Sequence, residues 1–211
     1  MNVNNLKNEL ENHLQGKSQN SNGTLIQTVA SYLRGSQKTG AMVKGSEQFK
    51  QQETEELIKI INQKHLWNCN INFDAFVSEG AEQRVYIQNE KTVLKLNDGI
   101  YYECWLDYFD NLLLNNYFFP DTAYTLLGFY KSIENIIYAL VEQSFIKATT
   151  HTNLQKVRLF LQNNGFENTK NNDYYNKELG IILEDLHDEN VLTKNNVLYF
   201  IDTVFYIKDL S

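Results

Sequence analysis

Residues 73–97, FDAFVSEGAEQRVYIQNEKTVLKLN, alternate apolar and polar side chains and break twice, at Gly80 and at Asn89-Glu90. Alternation of this kind marks a strand whose two faces meet different surroundings, and short polar breaks let the chain reverse. The stretch therefore predicts three consecutive antiparallel strands, roughly 73–78, 84–88 and 92–96. Two further apolar runs, AYTLLGFYKS and NIIYALVEQSF, are joined by a link of hairpin length and add two strands. Between the two sets, GIYYECWLDYFDNLLLNNYFF reads as a helix with Tyr101, Trp105, Phe109 and Leu112 or Leu113 as its buried stripe. Pro120, the only proline of the chain, follows and stops it.

The flanks are less regular. Residues 1–50 carry two stretches rich in Gly, Ser, Asn, Gln and Lys around one amphipathic piece, TLIQTVASYL, with Leu25, Val29 and Leu33 at helical spacing. They predict a flexible or partly helical segment, or a docking segment for a protein partner. From Ser46, a good N-cap, SEQFKQQETEELIKIINQKHLW predicts a helix with Phe49, Leu57, Ile60 and Ile61 on one face; its part from 51 to 70 leads into the domain. After the fifth strand, TNLQKVRLFLQNNGF reads as an amphipathic helix with Leu154, Val157, Phe160 and Leu161 turned inward and an Asn-Asn-Gly stop. NDYYNKELGIILEDL leads through a loop and a short strand into VLTK-NN-VLYFID, a tight hairpin with an Asn-Asn turn.

Composition narrows the function. With 211 residues, 42% of them hydrophobic and 13% aromatic, the chain can build a core. Net charge is −7 and no basic stripe is present, so nucleic acid is not the expected ligand. An anionic ligand would need a local Lys, a backbone nest or a metal ion. Cys69 and Cys104 form no CxxC and suit a reducing compartment. The N-terminus has no apolar signal-peptide core and no run is long enough to span a bilayer, so a soluble, cytoplasmic protein is expected, with no membrane partner.

Three polar residues then ask for a reason: Asp185, Asn190 and Asp202, in LEDLHDENVLTKNNVLYFID. Asn190 and Asp202 flank the hairpin, which brings their oxygens together, and hard oxygen donors of this kind suit Mg²⁺ completed by phosphate and water. An Asx-rich turn is the competing structural explanation. Upstream, Lys95 lies in the apolar strand TVLKLN. Val93 and Lys95 share one face and Leu94 and Leu96 the other, so Lys95 has an apolar neighbour and needs an anion.

The order of parts resembles the protein kinase-like fold in its reduced form. In particular KLNDGIYYECWLDYF, FENTKNNDYYN and EDLHDENVL…LYFIDTVF resemble the kinase domain found in polyvalent proteins of phages and mobile elements. The resemblance spans about residues 71–207. It implies an α+β, two-lobed fold: a lobe over 71–145 with a five-stranded antiparallel sheet and one helix, then a truncated, mostly helical lobe over 146–211 with the catalytic hairpin. It implies ATP and Mg²⁺ as cofactors and a protein or small-molecule hydroxyl as acceptor. Lys95 would reach the α- and β-phosphates, with Glu103, or Asp107 one turn on, as its ion-pair partner. Asp185 would act on the acceptor hydroxyl, and Asn190 and Asp202 would hold the metal. The turn around Gly80 and Ala81 would cover the phosphates, and backbone groups from Glu142 to Ser144 would meet the adenine edge. The sequence departs from the protein-kinase pattern at Leu183-Glu184, at His187 where a Lys is common, and at Thr203-Val204. Only nine residues follow Asp202, so no activation segment is expected. Three readings stay open: a Ser/Thr/Tyr protein kinase, a small-molecule phosphotransferase, and a nucleotide-binding pseudokinase or interaction module.

Overall fold

The computed structural model describes residues 3–17, 23–37, 46–80 and 83–208. Ala81, the Ser/Asn-rich stretch at 18–22 and the Gly/Lys-containing stretch at 38–45 lie outside them.

Five strands form the central antiparallel sheet: β1 (Phe76–Glu79), β2 (Gln83–Ile87), β3 (Thr92–Asn97), β4 (Thr125–Lys131) and β5 (Ile137–Ser144), in the order β1-β2-β3-β5-β4. The first strand starts later than its alternation suggests. Asn72 accepts from the Asp74 N–H, and residues 73–75 turn as a short 3₁₀ segment. That turn lays Phe73 against Tyr86 and Tyr130. There it helps cover the outer face of the sheet, where Tyr86, Leu94, Leu96, Tyr138 and Leu140 form a small core.

The other face carries Val85, Val93, Lys95, Val141 and Gln143, placed side by side by the β2–β3 and β3–β5 registers. At β4 the chain bulges between Leu126 and Gly128. Gly128 has φ +137°, and a Cβ there would lie 2.4 Å from the Leu66 carbonyl oxygen. No other residue fits that approach, which lets Phe129 N–H donate to Leu66 at 2.9 Å and pins residues 66–68 to the strand.

Helix α4 (Trp105–Phe118) packs with α1 (Val3–Leu14), α2 (Thr24–Gln37) and α3 (Glu47–Gln63). Helices α1 and α2 of the N-terminal segment are thus packed against the domain. Leu10, Leu14, Ile26, Val29, Ala30 and Leu33 sit in the main core with Phe109, Leu113 and Phe129. Burying those faces is what makes the marginal amphipathic pattern fold. Tyr101 is a correction to the expected stripe: it precedes α4 and is exposed. The start of α4 is capped from outside. Its N-cap, Cys104, offers no side-chain bond, and buried Glu53 of α3 accepts from the Trp105 and Leu106 N–H groups instead. Lys50, a turn away on α3, donates to the carbonyls of Gly99, Ile100 and Tyr102.

The C-terminal third is not mostly helical. Its described residues hold one helix, α5 (Leu154–Asn163), and six four-residue strands. These are β6 (Glu167–Lys170), β7 (Asp173–Asn176), β8 (Ile181–Glu184), β9 (Val191–Lys194), β10 (Val197–Phe200) and β11 (Val204–Ile207). Four make a sheet in the order β11-β8-β7-β6, and β9 pairs with β10 alone. Asn195 and Asn196, at φ +51° and +63°, form the primed turn of that hairpin. The β9–β10 hairpin and the short strand β8 before it are as the sequence predicts, whereas β6, β7 and β11 carry too few alternations to be recognised. Of the described residues, no helix is long and apolar enough to cross a membrane.

Candidate functional site

The inner face of the sheet and the β9–β10 hairpin enclose a cleft of about 360 Å³. Val85 and Val93 on the sheet side and Leu192 and Ile201 on the hairpin side make a flat apolar slot. Lys95, Gln143, Asn190 and Asp202 supply its polar groups, with Gly80 and Ser144 on the rim.

Lys95 is 3% exposed. Its Nζ donates to the Ile201 carbonyl at 2.9 Å and stands 3.8 Å from Asp202 Oδ1. Tyr124 flanks it, with the hydroxyl at 3.5 Å and the ring centroid at 5.3 Å. Burial pulls the Lys95 pKa down, and the Asp202 charge opposes that shift. Burial also holds Tyr124 far above its usual range, so it stays a neutral donor, bonded to the Ile201 carbonyl at 2.9 Å. Tyr124 is itself fixed by Asn116 of α4, which accepts from its N–H and donates to its carbonyl.

The expected carboxylate partner of Lys95 is corrected. Glu103 is exposed in the bends before α4, and it lines a different cavity together with Asp107, Asp110 and Asn111. The chain needs residues 99–104 to cross from β3 to the helix, so a group only eight residues after Lys95 is spent on that crossing. The acid facing Lys95 is Asp202.

Asn190 and Asp202 lie at paired ends of the hairpin, where Ile201 N–H donates to the Asn190 carbonyl at 2.9 Å. Asn190 Nδ2 turns to Asp185, donating to its carbonyl at 2.9 Å and to Oδ2 at 2.8 Å. This leaves Asn190, which lines the cleft, with Oδ1 as the atom that could ligate a metal. Asp202 Oδ2 accepts from Gln83 Nε2. Among the described residues no group of three or more His, Cys, Asp and Glu side chains could hold a metal ion. Two oxygen donors on one wall fit a Mg²⁺ ion whose remaining ligands are phosphate and water, and fit poorly a metal held by protein alone.

Asp185 stands just beyond the cleft with 57% of its side chain exposed. Its φ is +65°, a left-handed conformation that Asp tolerates better than most residues. The N–H donates to Asp173 Oδ1 at 3.3 Å. His187 Nδ1 accepts from the Glu189 N–H at 3.2 Å, and Nε2 stands 3.2 Å from both Asp185 Oδ1 and Asn190 Nδ2. Glu184 next to it has its pKa raised, first by burial and then by the charges of Asp173 and Asp185.

The Glu142 side chain is turned away from the cleft. It pairs with Leu94 on the outer face and with Thr125, the first residue of β4. From Gln143 onward β5 is paired with β3 only, which leaves one edge of the strand end open beside Ser144. Sequence reasoning missed Gln83, Tyr124 and Gln143. Strand parity signals Gln143, which follows Val141 on the Lys95 face; nothing local marks Tyr124.

A family model for a serine/threonine/tyrosine kinase found in polyvalent proteins matches residues 50–209. No curated protein matches the chain.

Proposed function

The chain belongs to the family of serine/threonine/tyrosine kinases found in polyvalent proteins, and from that premise we propose that it is an ATP- and Mg²⁺-dependent phosphotransferase acting on Ser, Thr or Tyr hydroxyls. The observation that carries the reading is Lys95. A cation 3% exposed, facing a cleft, has one carbonyl at bond distance and, among the described residues, one acid within 4 Å, Asp202 at 3.8 Å. Such a group gains most from an anion entering the cleft.

In this reading the purine enters the slot between Val93 and Leu192, and the phosphates run toward Lys95. Bound Mg²⁺ would be held by Asn190 and Asp202 and would offset phosphate charge. Asp185, its carboxylate aimed by Asn190 and His187, accepts the proton of the acceptor hydroxyl. The new O–P bond forms as the bond from the γ-phosphorus to the bridging oxygen breaks, and ADP departs with that electron pair. Asp185 is open to solvent, which leaves room for an acceptor on a protein surface.

A second reading, nucleotide binding without transfer, is favoured by one observation: no carboxylate of α4 orders Lys95. Labelled phosphate transfer separates the two. The wild-type chain with Mg²⁺ and ATP should label itself or a generic protein acceptor, and Asp185→Ala should transfer slower by about a thousandfold. Thermal stabilisation by ATP without labelling would leave the second reading; neither effect would remove both.

A further inference from the structure

We infer that Gln143 reads the base of the nucleotide and selects adenine over purines that carry an oxygen at the six position; this rests on the nucleotide reading of the same cleft. Gln143 is 2% exposed and lines the slot, directly across from Val93 on the Lys95 face of the sheet. Its Nε2 donates to the Thr122 carbonyl at 2.7 Å. A carbonyl can only accept, so this bond fixes which end of the amide is nitrogen and which is oxygen. The neighbouring Tyr124 hydroxyl has its proton committed to the Ile201 carbonyl, so it offers the amide no donor. The protein therefore holds the nitrogen end. Oε1 remains for the cleft, and no donor among the described residues bonds to it.

The receiving carbonyl is itself held by hydrogen bonds on either side. Asn115 of α4 donates to it at 3.1 Å, and the Thr122 hydroxyl donates to the Phe200 carbonyl. The amide cannot flip without setting Oε1 against the buried Thr122 carbonyl, acceptor on acceptor, a cost in the range of a lost buried hydrogen bond. A fixed acceptor at the back of an apolar purine-sized slot asks for a donor. The exocyclic amine of adenine is one. The six-position oxygen of guanine or hypoxanthine would face another oxygen and leave both unpaired. Sites built on such a bond discriminate strongly, because the wrong ligand leaves buried polar groups unmatched. Val85, Val93, Leu192 and Ile201 contact either purine equally and supply no discrimination.

Calorimetric titration with Mg²⁺ and three nucleotides tests this. Inosine triphosphate differs from ATP only at the six-position edge, and GTP adds the two-amino group. The wild-type chain should bind ATP at least about tenfold tighter than either. Gln143→Met keeps the length and apolar contact of the side chain and removes the acceptor. It should weaken ATP and bring the ATP-to-inosine-triphosphate ratio to within about twofold, with a melting curve that shows the variant folded. Equal wild-type affinities for ATP and inosine triphosphate would overturn the assignment without any variant, and so would a ratio that survives in Gln143→Met. Both results leave the nucleotide reading standing. Failure of the wild type to bind any of the three would instead remove that reading, and this assignment with it.

Discussion

Lys95 and Glu53 are both charged side chains almost withdrawn from water, 3% and 4% exposed, and they are held in opposite ways. Glu53 takes three donors: the Trp105 and Leu106 N–H groups at the positive end of α4, and Gln37 Nε2. Its surroundings are complete, and nothing about them invites a ligand. Lys95 has one good acceptor, a distant acid, a hydroxyl at the limit of bonding and an aromatic face. It borders an open cleft. A buried charge that is fully matched belongs to the architecture. One that is under-matched beside a cavity belongs to a site.

The comparison breaks most visibly if both residues are truncated. Lys95→Met should leave the fold intact, or more stable, because it removes an incompletely paired charge and keeps volume. It should abolish ATP-induced thermal stabilisation and lower phosphate transfer by about 10²–10³-fold. A melting temperature that drops sharply, with ATP stabilisation retained, would place Lys95 with the architecture. Glu53→Ala should do the reverse in kind. It orphans two α4 N–H groups and the Gln37 amide and opens a cavity, so chemical denaturation should show a loss of about 2–4 kcal/mol. Nucleotide affinity of the remaining folded protein should change little.

What the sequence disclosed about these two residues follows from range. Lys95 was legible because strand parity is local: two positions either way fix its face, and the registers with Val85 and Val141 put it where alternation puts it. The Asn195-Asn196 turn was legible for the same reason, since φ > 0 at adjacent positions selects Asn. Glu53 was not, because its partners lie 52 and 53 residues away and its own helix reads as an ordinary polar face. The same holds for Gln83 on Asp202 and for Tyr124 beside Lys95, contacts that join segments 119 and 29 residues apart. The Glu103 expectation failed on chain length: a helix starting at Trp105 leaves residue 103 in the approach. The expectation of a flexible or partly helical segment over 1–50 did not extend to the packing of α1 and α2 into the core, because local propensity there is weak and the burial of Ile26, Val29 and Leu33, at 0% exposure, comes from tertiary contacts.

The finest test of the comparison is the direction in which stability moves with pH. Burial raises the Glu53 pKa above its ordinary 4.5 despite the donors. A group raised on folding adds stability that is full below the unfolded pKa and is lost as pH climbs through the folded one. Wild type should therefore lose stability relative to Glu53→Gln as pH rises from about 4.5, because the amide keeps its neutral state throughout. Lys95 has the opposite sign. Its pKa is lowered on folding from 10.5, so its contribution is present above 10.5 and is lost as pH falls through the folded value. Wild type should lose ground to Lys95→Met as pH falls from 10.5. Denaturant titrations of the three proteins across pH, read as differences so that common groups cancel, should thus give curves of opposite slope in their respective windows. Both effects are smaller than the Glu53 truncation. Added Mg²⁺-ATP should flatten the Lys95 curve, because the phosphates would supply the charge that Asp202 supplies only at a distance. It should leave the Glu53 curve unchanged, because no part of that carboxylate's surroundings opens onto the cleft.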